Sequence, residues 1–363
     1  MVIRVFNRVV AASALAAASF LVARPVQAAV VTPDHVVVVI MEDRFANAIG
    51  DAANMSYTNN TLASGGLIYS NSHGINNSSQ EGEMSYLTLY SGYGQGVTDD
   101  GANYSFNTPT LAQSLNNAGK SFIGYSAGLP SAGTQTPYVT GAGTVLGTSY
   151  TIDDYYSRAF NPMAQFSSVG TGKMVADVSK TFGDFQSLTS GGQYQNLPTV
   201  SFVVPDNLDN THGSNDMDPF ATDPSQYSNL RGQADLWLSQ NINGYLQWAK
   251  THNSLLIVTG DEGDRANNFD AGTTTIVNGS TNLFVPGVNS QFVNDSNILA
   301  TIEDMYGLTR LGDPNDLADT ADVAGLATNG AGLLVAPEPA SAALVGMVGL
   351  LLLARRGNKR IAR

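Results

Sequence analysis

Short apolar runs alternate along the chain with amphipathic and polar stretches. The apolar runs predict β-strands at residues 35–41, 66–71, 120–125, 199–204, 254–259 and 282–285. The amphipathic stretches predict helices at residues 85–91, 108–118, 229–250 and 294–306. Strands separated by helices favour a parallel sheet with helices on both faces, so the chain is predicted to have an α/β fold with a mostly parallel central sheet.

Two of these elements carry additional signals. Residues Val36 to Ile40 are all apolar and β-branched, which is typical of a central parallel strand that is buried on both faces. The helix at 108–118 is predicted to begin with Thr108 as its N-cap and Pro109 at its first position, and to stop at Gly119.

Three stretches rich in Gly, Ser, Thr and Asn are predicted to be long loops over the top of the sheet. They are residues 126–150, 207–228 and 265–280, and residues 308–334 are predicted to form a tail linker. The sequence shows no internal repeat and no clearly marked second domain.

The N-terminus has the features of a secretory signal peptide at residues 1–28. Arg4 and Arg8 precede an Ala-rich apolar stretch that ends at Ala23, and small residues lie at −3 and −1 in Val26-Gln27-Ala28. The apolar stretch is too short for a good membrane anchor. The alternative is a buried N-terminal helix.

The C-terminus combines three further signals. Pro337-Glu338-Pro339 is followed by an apolar stretch from Ala340 to Ala354 and then by a basic cluster. This tail resembles the PEP-CTERM sorting signal of Gram-negative bacteria. The resemblance implies recognition by an exosortase-type enzyme at the inner membrane, transient membrane association, and delivery to the periplasm, cell envelope or exterior. The alternative is a plain C-terminal anchor, and both interpretations predict an exported protein.

The charge balance changes between these ends. Of the 17 basic residues, three lie before residue 29 and five after residue 337, so residues 29–337 carry 9 Lys and Arg against 29 Asp and Glu. Such an acidic domain argues against binding to nucleic acid and favours divalent cations as partners. The chain has no cysteine, which excludes disulfides and thiolate metal sites.

Acidic side chains follow three of the predicted strands. They are Glu42 and Asp43 after the first strand, Asp206 and Asp209 with His212 after strand 199–204, and Asp261, Glu262 and Asp264 after strand 254–259. Ligands in open α/β sheets collect at the carboxyl ends of strands. Because crowded carboxylates repel each other and resist burial, this pattern predicts a divalent metal ion, with Zn, Mn, Ca and Mg all compatible.

Five segments resemble, in the same order, motifs of the bacterial phosphoesterase family, which includes acid phosphatases and non-specific phospholipases C. They are MEDRFANAIG, TLAQSLNNAGKSFIGY, LPTVSFVVPDNLDNTH, TGDEGD and NILATIEDMYGLTRLG, and they extend from about residue 34 to 313. The family belongs to the alkaline phosphatase superfamily. The resemblance implies an alkaline-phosphatase-like fold and hydrolysis of phosphate esters. It divides the chain into a signal peptide at 1–28, a phosphoesterase domain at 29–313, a linker at 314–334 and a sorting tail at 335–363.

The resemblance also implies a serine or threonine nucleophile beside bound metal, at a helix N-terminus. The corresponding region, SNSHGINNSSQEGEMSYLTLYSG, departs from the family pattern. Matching it from the left places the nucleophile at Ser79, whereas matching it from the right reaches Gly82, which has no hydroxyl. We therefore predict Ser79, with Ser78 and Ser85 as alternatives; Ser79 as a helix cap alone is the structural alternative.

The predicted metal ligands are Glu42, Asp43, Asp209, His212, Asp261 and Glu262. Asp295 stands where relatives often have a histidine, so it is a further potential ligand. Other family histidines are replaced by Asn77 and Phe160, which predicts either a site for a harder cation or a lost activity. A non-catalytic surface or matrix protein is thus the alternative function, and sulfate ester hydrolysis is a third.

Overall fold

The computed structural model describes residues 32–75, 82–167, 169–213, 224–263 and 272–312. Several predictions lie outside these residues. They are the signal peptide at 1–28, the linker at 314–334, the sorting tail at 335–363, and the residues Asn77, Ser78, Ser79 and Asp264. Within the described residues, no helix is both long and apolar enough to cross a bilayer.

The described residues form strands and helices in regular alternation. The strands are β1 (His35–Met41), β2 (Leu67–Ser72), β3 (Phe122–Ser126), β4 (Tyr138–Val145), β5 (Thr148–Ser157), β6 (Ser179–Thr181), β7 (Val200–Val204), β8 (Ser254–Gly260), β9 (Thr273–Gly279) and β10 (Gly287–Val293). The α-helices are α1 (Gly82–Ser91), α2 (Leu111–Asn117), α3 (Val175–Val178), α4 (Phe182–Thr189), α5 (Pro224–Asn241), α6 (Asn243–Ala249) and α7 (Asp295–Tyr306). Short 3₁₀ or π turns occur at Asp43–Asn47, Thr58–Leu62, Pro162–Gln165, Ser190–Gly192 and Tyr194–Asn196.

Eight of the described strands form one sheet in the order β10-β2-β9-β8-β1-β7-β3-β6, and β4 pairs with β5 in a separate hairpin. Strand β1 is central and runs parallel to both β7 and β8. Only β9 runs antiparallel to its neighbours in this sheet. The predicted mostly parallel central sheet is therefore confirmed.

The two faces of β1 pack against different helices. Val36, Val38 and Ile40 belong to an apolar cluster with α1, α2 and α7. Val37 and Val39 belong to a second cluster with α4, α5 and α6. Alternate residues of a strand point to opposite faces, so the unbroken apolar run is what covering by helices on both faces requires. Each such side chain contributes about 1.5–3 kcal/mol through its burial.

The prediction of a strand at 282–285 is wrong, because the strand in this region is β10, which begins at Gly287. The predicted loop at 265–280 is wrong where β9 lies, at Thr273–Gly279. Strand β9 is rich in threonine and looks polar in sequence, yet it is buried throughout. Its Thr275 hydroxyl forms hydrogen bonds of 2.6 and 2.7 Å with the hydroxyls of Ser72 and Thr259 on the neighbouring strands. These polar atoms are buried because they satisfy one another.

Three smaller predictions also need correction. The predicted helix at 229–250 is divided into α5 and α6. Helix α2 begins two or three residues later than predicted, and Thr110 is its N-cap, accepting a 3.3 Å hydrogen bond from the backbone N–H of Gln113. The predicted loop at 126–150 contains β4 and the start of β5, because alternating small residues form a two-stranded hairpin there.

Candidate metal centre

Adjacent parallel strands bring three of the predicted acids together. Met41 pairs with Gly260 at the ends of β1 and β8, and the backbone N–H of Asp261 donates a 3.0 Å hydrogen bond to the carbonyl of Met41. Glu42, Asp261 and Glu262 are buried and each offers one carboxylate oxygen; the three oxygens lie within 4.8 Å of one another. This register explains why the first and third predicted strand ends meet.

The carboxylate of Asp261 is buried without compensation. Neither of its oxygens has a hydrogen-bond partner among the described residues. Burial, followed by repulsion from Glu262, raises the pKa of Asp261 well above its ordinary value. Burial, followed by repulsion from Asp261, likewise raises the pKa of Glu42. A divalent cation would supply the positive charge and the coordination that these oxygens lack, so the residues fit such an ion.

The N-terminus of helix α1 closes the centre on one side. A Cβ atom on Gly82 would lie 2.2 Å from Oδ2 of Asp261 and 3.7 Å from Oε2 of Glu42. The next residue, Glu83, donates its backbone N–H to Oδ1 of Asp100 at 2.9 Å. The carboxylate of Asp261 thus occupies the position that a side chain at residue 82 would take.

Tyr86, one turn along α1, holds Glu42 in place. Its hydroxyl donates a 2.9 Å hydrogen bond to Oε1 of Glu42. Both side chains are buried. The hydrogen bond restrains Oε1 of Glu42.

Asp295 adds a fourth buried carboxyl group near the centre. It is the first residue of α7 and its Oδ2 has no hydrogen-bond partner among the described residues. Its side chain is hydrogen-bonded to Ser85, whose Oγ accepts a 3.0 Å hydrogen bond from the backbone N–H of Ile75. The raised pKa of Asp261, due first to burial, includes repulsion from Asp295. Asp295, which the sequence indicated as a potential ligand, is therefore close enough to Asp261 to raise the pKa of that carboxyl group.

Asp43 follows Glu42 in the chain, but its carboxylate is paired with the guanidinium group of Arg44. Its Oδ1 forms an ion pair with Nη1 of Arg44 at 3.0 Å, and both side chains are buried. Arg44 also donates to the backbone carbonyls of Thr211 and His212. Asp43 is not among the three residues whose oxygens meet within 4.8 Å, so its role as a ligand stays a prediction.

The remaining acid-bearing strand end, which follows β7, contributes its backbone to the centre. The N–H of Glu42 donates to the carbonyl of Asn210 at 2.8 Å, and the Thr211 hydroxyl donates to the carbonyl of Glu42 at 2.9 Å. Asp209 instead accepts a 2.7 Å hydrogen bond from Gln233 on α5, and burial raises the pKa of Asp209.

His212 packs its ring against Phe160, with 5.2 Å between ring centroids. Its Nδ1 lies 3.0 Å from the carbonyl of Gly213. Nδ1 must carry the proton to form this bond, which leaves Nε2 of the neutral ring as an acceptor. Asp209 and His212 both lie outside the group of three, and their metal ligation stays a prediction.

Sequence reasoning missed Asp100 and Tyr86. Asp100 lies in a loop and follows no predicted strand, so the rule that pointed to strand ends did not reach it. Tyr86 fits the apolar pattern of a core helix, and only its hydroxyl contact with Glu42 shows a second role.

Buried acids at the carboxyl ends of parallel strands, faced by a helix N-terminus, define this chain as an α/β protein with a candidate divalent-cation centre. The model of the Phosphoesterase family matches residues 58–282, and the chain belongs to this family. The family resemblance predicted from the motifs is confirmed. Hydrolysis of phosphate esters is the activity that this membership supports.

The chain is also similar to individual proteins. The chain is 29% identical over 295 residues to phosphatidylinositol-3-phosphatase of Mycobacterium tuberculosis. The alignment covers 80% of this chain and 83% of that protein. Among solved structures, the lipoteichoic acid synthase LtaP of Listeria monocytogenes has a TM-score of 0.48 at 10% identity, covering 80% of this chain and 77% of that one. A protein of the alkaline phosphatase superfamily from Vibrio parahaemolyticus has a TM-score of 0.46 at 11% identity, covering 81% and 74%.

Proposed function

We propose that the protein is an exported hydrolase of phosphate esters that depends on a divalent metal and uses a serine nucleophile. The observation that carries the proposal is the meeting of Glu42, Asp261 and Glu262, whose oxygens lie within 4.8 Å of one another in a buried position. Both oxygens of Asp261 lack a hydrogen-bond partner among the described residues, which would be costly without a cation.

Glu42, Asp261 and Glu262 would hold the cation, with Asp295 as a further candidate. Three carboxylates suit Mg²⁺, Ca²⁺ or Mn²⁺, and Zn²⁺ also accepts such ligands. When bound, the ion neutralises phosphoryl oxygens and lowers the pKa of an attacking hydroxyl. Tyr86 orients Glu42, and the glycine at residue 82 lets the N-terminus of α1 approach the Asp261 carboxylate.

Ser79 is our proposed nucleophile. It lies outside the described residues and precedes Gly82 by three positions in the sequence. Its hydroxyl oxygen would bond to phosphorus while the bond from phosphorus to the alcohol breaks, and the alcohol would leave with a proton. Water would then hydrolyse the serine phosphate. Ser85 is a weaker candidate because its hydroxyl is buried and already bonded to Ile75 and Asp295.

We base the proposed substrate class on the relative from Mycobacterium tuberculosis. That protein's name, phosphatidylinositol-3-phosphatase, describes hydrolysis of a phosphate monoester. For this chain we propose a phosphate monoester as the substrate class, and we do not extend the proposal to the inositol lipid.

The test is turnover of p-nitrophenyl phosphate by the purified mature protein, with and without chelator, and with Mg²⁺, Mn²⁺, Ca²⁺ or Zn²⁺ added back. We expect chelation to abolish activity and Ser79→Ala to remove it, while Ser78→Ala retains it. A phosphoenzyme trapped by acid quench should be absent from Ser79→Ala. Activity that survives both chelation and Ser79→Ala would contradict the mechanism, and p-nitrophenyl sulfate serves as the control for sulfatase activity.

The second candidate is a protein that keeps the fold and a structural cation without turnover. It is favoured by Gly82, because the first residue of α1 faces Asp261 without a hydroxyl. In that case the protein binds metal in a melting assay, yet hydrolyses neither the phosphate nor the sulfate ester.

Export and sorting form a separate part of the proposal. Residues 1–28 and 335–363 would direct secretion and then processing by an exosortase-type enzyme. Fractionation of cells that express the full chain or a chain ending at residue 334 tests this. We expect the full chain in the envelope or medium only when the exosortase is present, and the truncated chain in the periplasm regardless.

A further inference from the structure

A small pocket lies next to the candidate metal centre and is lined by side chains from four parts of the chain. It has a volume of about 70 Å³, and its lining residues are Asp100, Tyr138, Asp154, Ser157, Phe160, Asn207 and His212. Since one water occupies ~30 Å³ of liquid volume, the pocket holds a group of roughly two or three heavy atoms.

Two contacts join this pocket to the metal centre. Asp100 accepts the backbone N–H of Glu83, directly after Gly82, which lies against Asp261. On the other side, Thr211, the residue before His212, donates its hydroxyl to the carbonyl of Glu42. A phosphoryl group beside Asp261 would thus have its alcohol portion within reach of the pocket.

The lining of the pocket is acidic and aromatic. Among the seven described lining residues there are two carboxylates and no Lys or Arg. The nearby guanidinium groups have other partners: Arg44 donates to Asp43 and to the carbonyls of Thr211 and His212, and Arg158 donates to the carbonyls of Gln135 and Tyr104.

One lining carboxylate has an oxygen without a partner: Oδ1 of Asp154 is buried and has no hydrogen-bond partner among the described residues. The backbone of Asp154 is held in place, because its carbonyl accepts a 2.8 Å hydrogen bond from the side chain of Asn207. Asp153, the preceding residue of β5, is exposed and accepts a 3.3 Å hydrogen bond from Thr140 instead.

We propose that this pocket selects phosphate esters of small amino alcohols, with the ammonium group bound between the carboxylates of Asp100 and Asp154 and the rings of Tyr138 and Phe160. A cation gains from both carboxylates and aromatic faces, whereas a second anionic group on the substrate would be repelled. The inference rests on the proposed function, because it assigns the alcohol-binding part of that same site.

Three substrates of similar size and different charge test the proposal. They are O-phosphoethanolamine, propyl phosphate and phosphoglycolate, whose alcohol portions are cationic, neutral and anionic. We expect kcat/KM to fall in that order, and Asp154→Asn to lower the ratio of phosphoethanolamine to propyl phosphate by about tenfold, since a hydrogen bond to a charged group is lost. The matched control Asp153→Asn should leave the ratio unchanged. Equal kcat/KM for all three substrates would overturn the inference and leave the proposed function intact.

A binding measurement keeps the inference testable even without turnover. Ethanolamine, titrated calorimetrically into the metal-loaded protein at pH 7, should bind the wild type and Asp153→Asn but not Asp154→Asn. Circular dichroism and the melting temperature confirm that both variants are folded. If neither p-nitrophenyl phosphate nor any of the three esters is hydrolysed, the proposed function fails; if ethanolamine does not bind the wild type, the pocket assignment fails.

Discussion

Gly82 lies so close to Asp261 that a Cβ atom at residue 82 would be 2.2 Å from Oδ2 of that carboxylate. Real Cβ atoms do not approach this closely, so any other residue at position 82 would displace the carboxylate of Asp261. The contact places the helix N-terminus against the buried acids, where the helix dipole favours a phosphoryl group.

We expect Gly82→Ala to weaken binding of divalent metal by tenfold or more, because the added methyl group displaces the Asp261 carboxylate. Isothermal titration of the metal-free protein measures this. Gly183→Ala is the matched control: Gly183 lies in α4, and a Cβ atom there has only an ordinary contact, 3.5 Å from Thr181. Wild-type affinity in Gly82→Ala would show that Asp261 is not a ligand.

Asp261→Asn should have opposite effects with and without metal. In chelator at pH 7 the variant should melt a few degrees higher than the wild type, because a buried acid with repelling neighbours is replaced by a neutral group. With saturating Mg²⁺ or Mn²⁺ it should melt lower, because the ligand is lost. Scanning calorimetry checks both conditions, and Asp304→Asn, which breaks the ion pair with Arg310 near the surface, controls for loss of charge. A variant that is destabilised in both conditions would contradict a metal role for Asp261.

Tyr86→Phe should reduce metal affinity by about tenfold, because second partners of a metal ligand typically contribute 10–100-fold. The change removes only the hydroxyl that donates to Glu42 at 2.9 Å. Tyr90→Phe on the same helix is the control, since the Tyr90 ring packs against Phe122 and Phe166 away from the carboxylates. Equal metal affinities of the two variants would mean that the hydrogen bond to Glu42 does not support the centre.

The metal-free protein should lose stability as the pH rises from 5 to 9. Burial raises the pKa of Glu42 and Asp261 well above their ordinary values, of Glu83 to about 7 and of Glu303 to about 8. Each group binds its proton more tightly in the folded chain, so its contribution to stability is fully present below its unfolded pKa, near 4, and is lost as the pH passes the raised value.

Melting temperatures across this pH range, in chelator and in saturating Mg²⁺ or Mn²⁺, measure the effect. Bound metal should reduce the loss of stability that comes from Glu42 and Asp261, because only the deprotonated forms of these groups bind metal. Glu83 and Glu303 should retain their part under both conditions. A chelated protein whose stability rises with pH would contradict the burial of these acids in protonated form.

Some of the site was accessible from sequence because it depends on local order. Glu42 and Asp261 each follow an unbroken apolar run, and such runs are central parallel strands whose ends bind ligands. The same rule also selected Asp209, but that side chain turns to Gln233 on α5. The rule predicts at which edge of the sheet a residue lies, but it does not predict where the side chain points in the loop that follows the strand.

The sequence alone determined the α/β class, the buried central strand and the family, since apolar periodicity and ordered motifs are properties of the chain itself. Only the tertiary structure decided that β1 and β8 are neighbours in register, that Thr-rich β9 is buried, and that Gly82 meets Asp261. The physical reason is that pairing of strands, mutual satisfaction of buried hydroxyls and close approach of backbone to carboxylate all depend on contacts between residues far apart in sequence, and no local pattern records them.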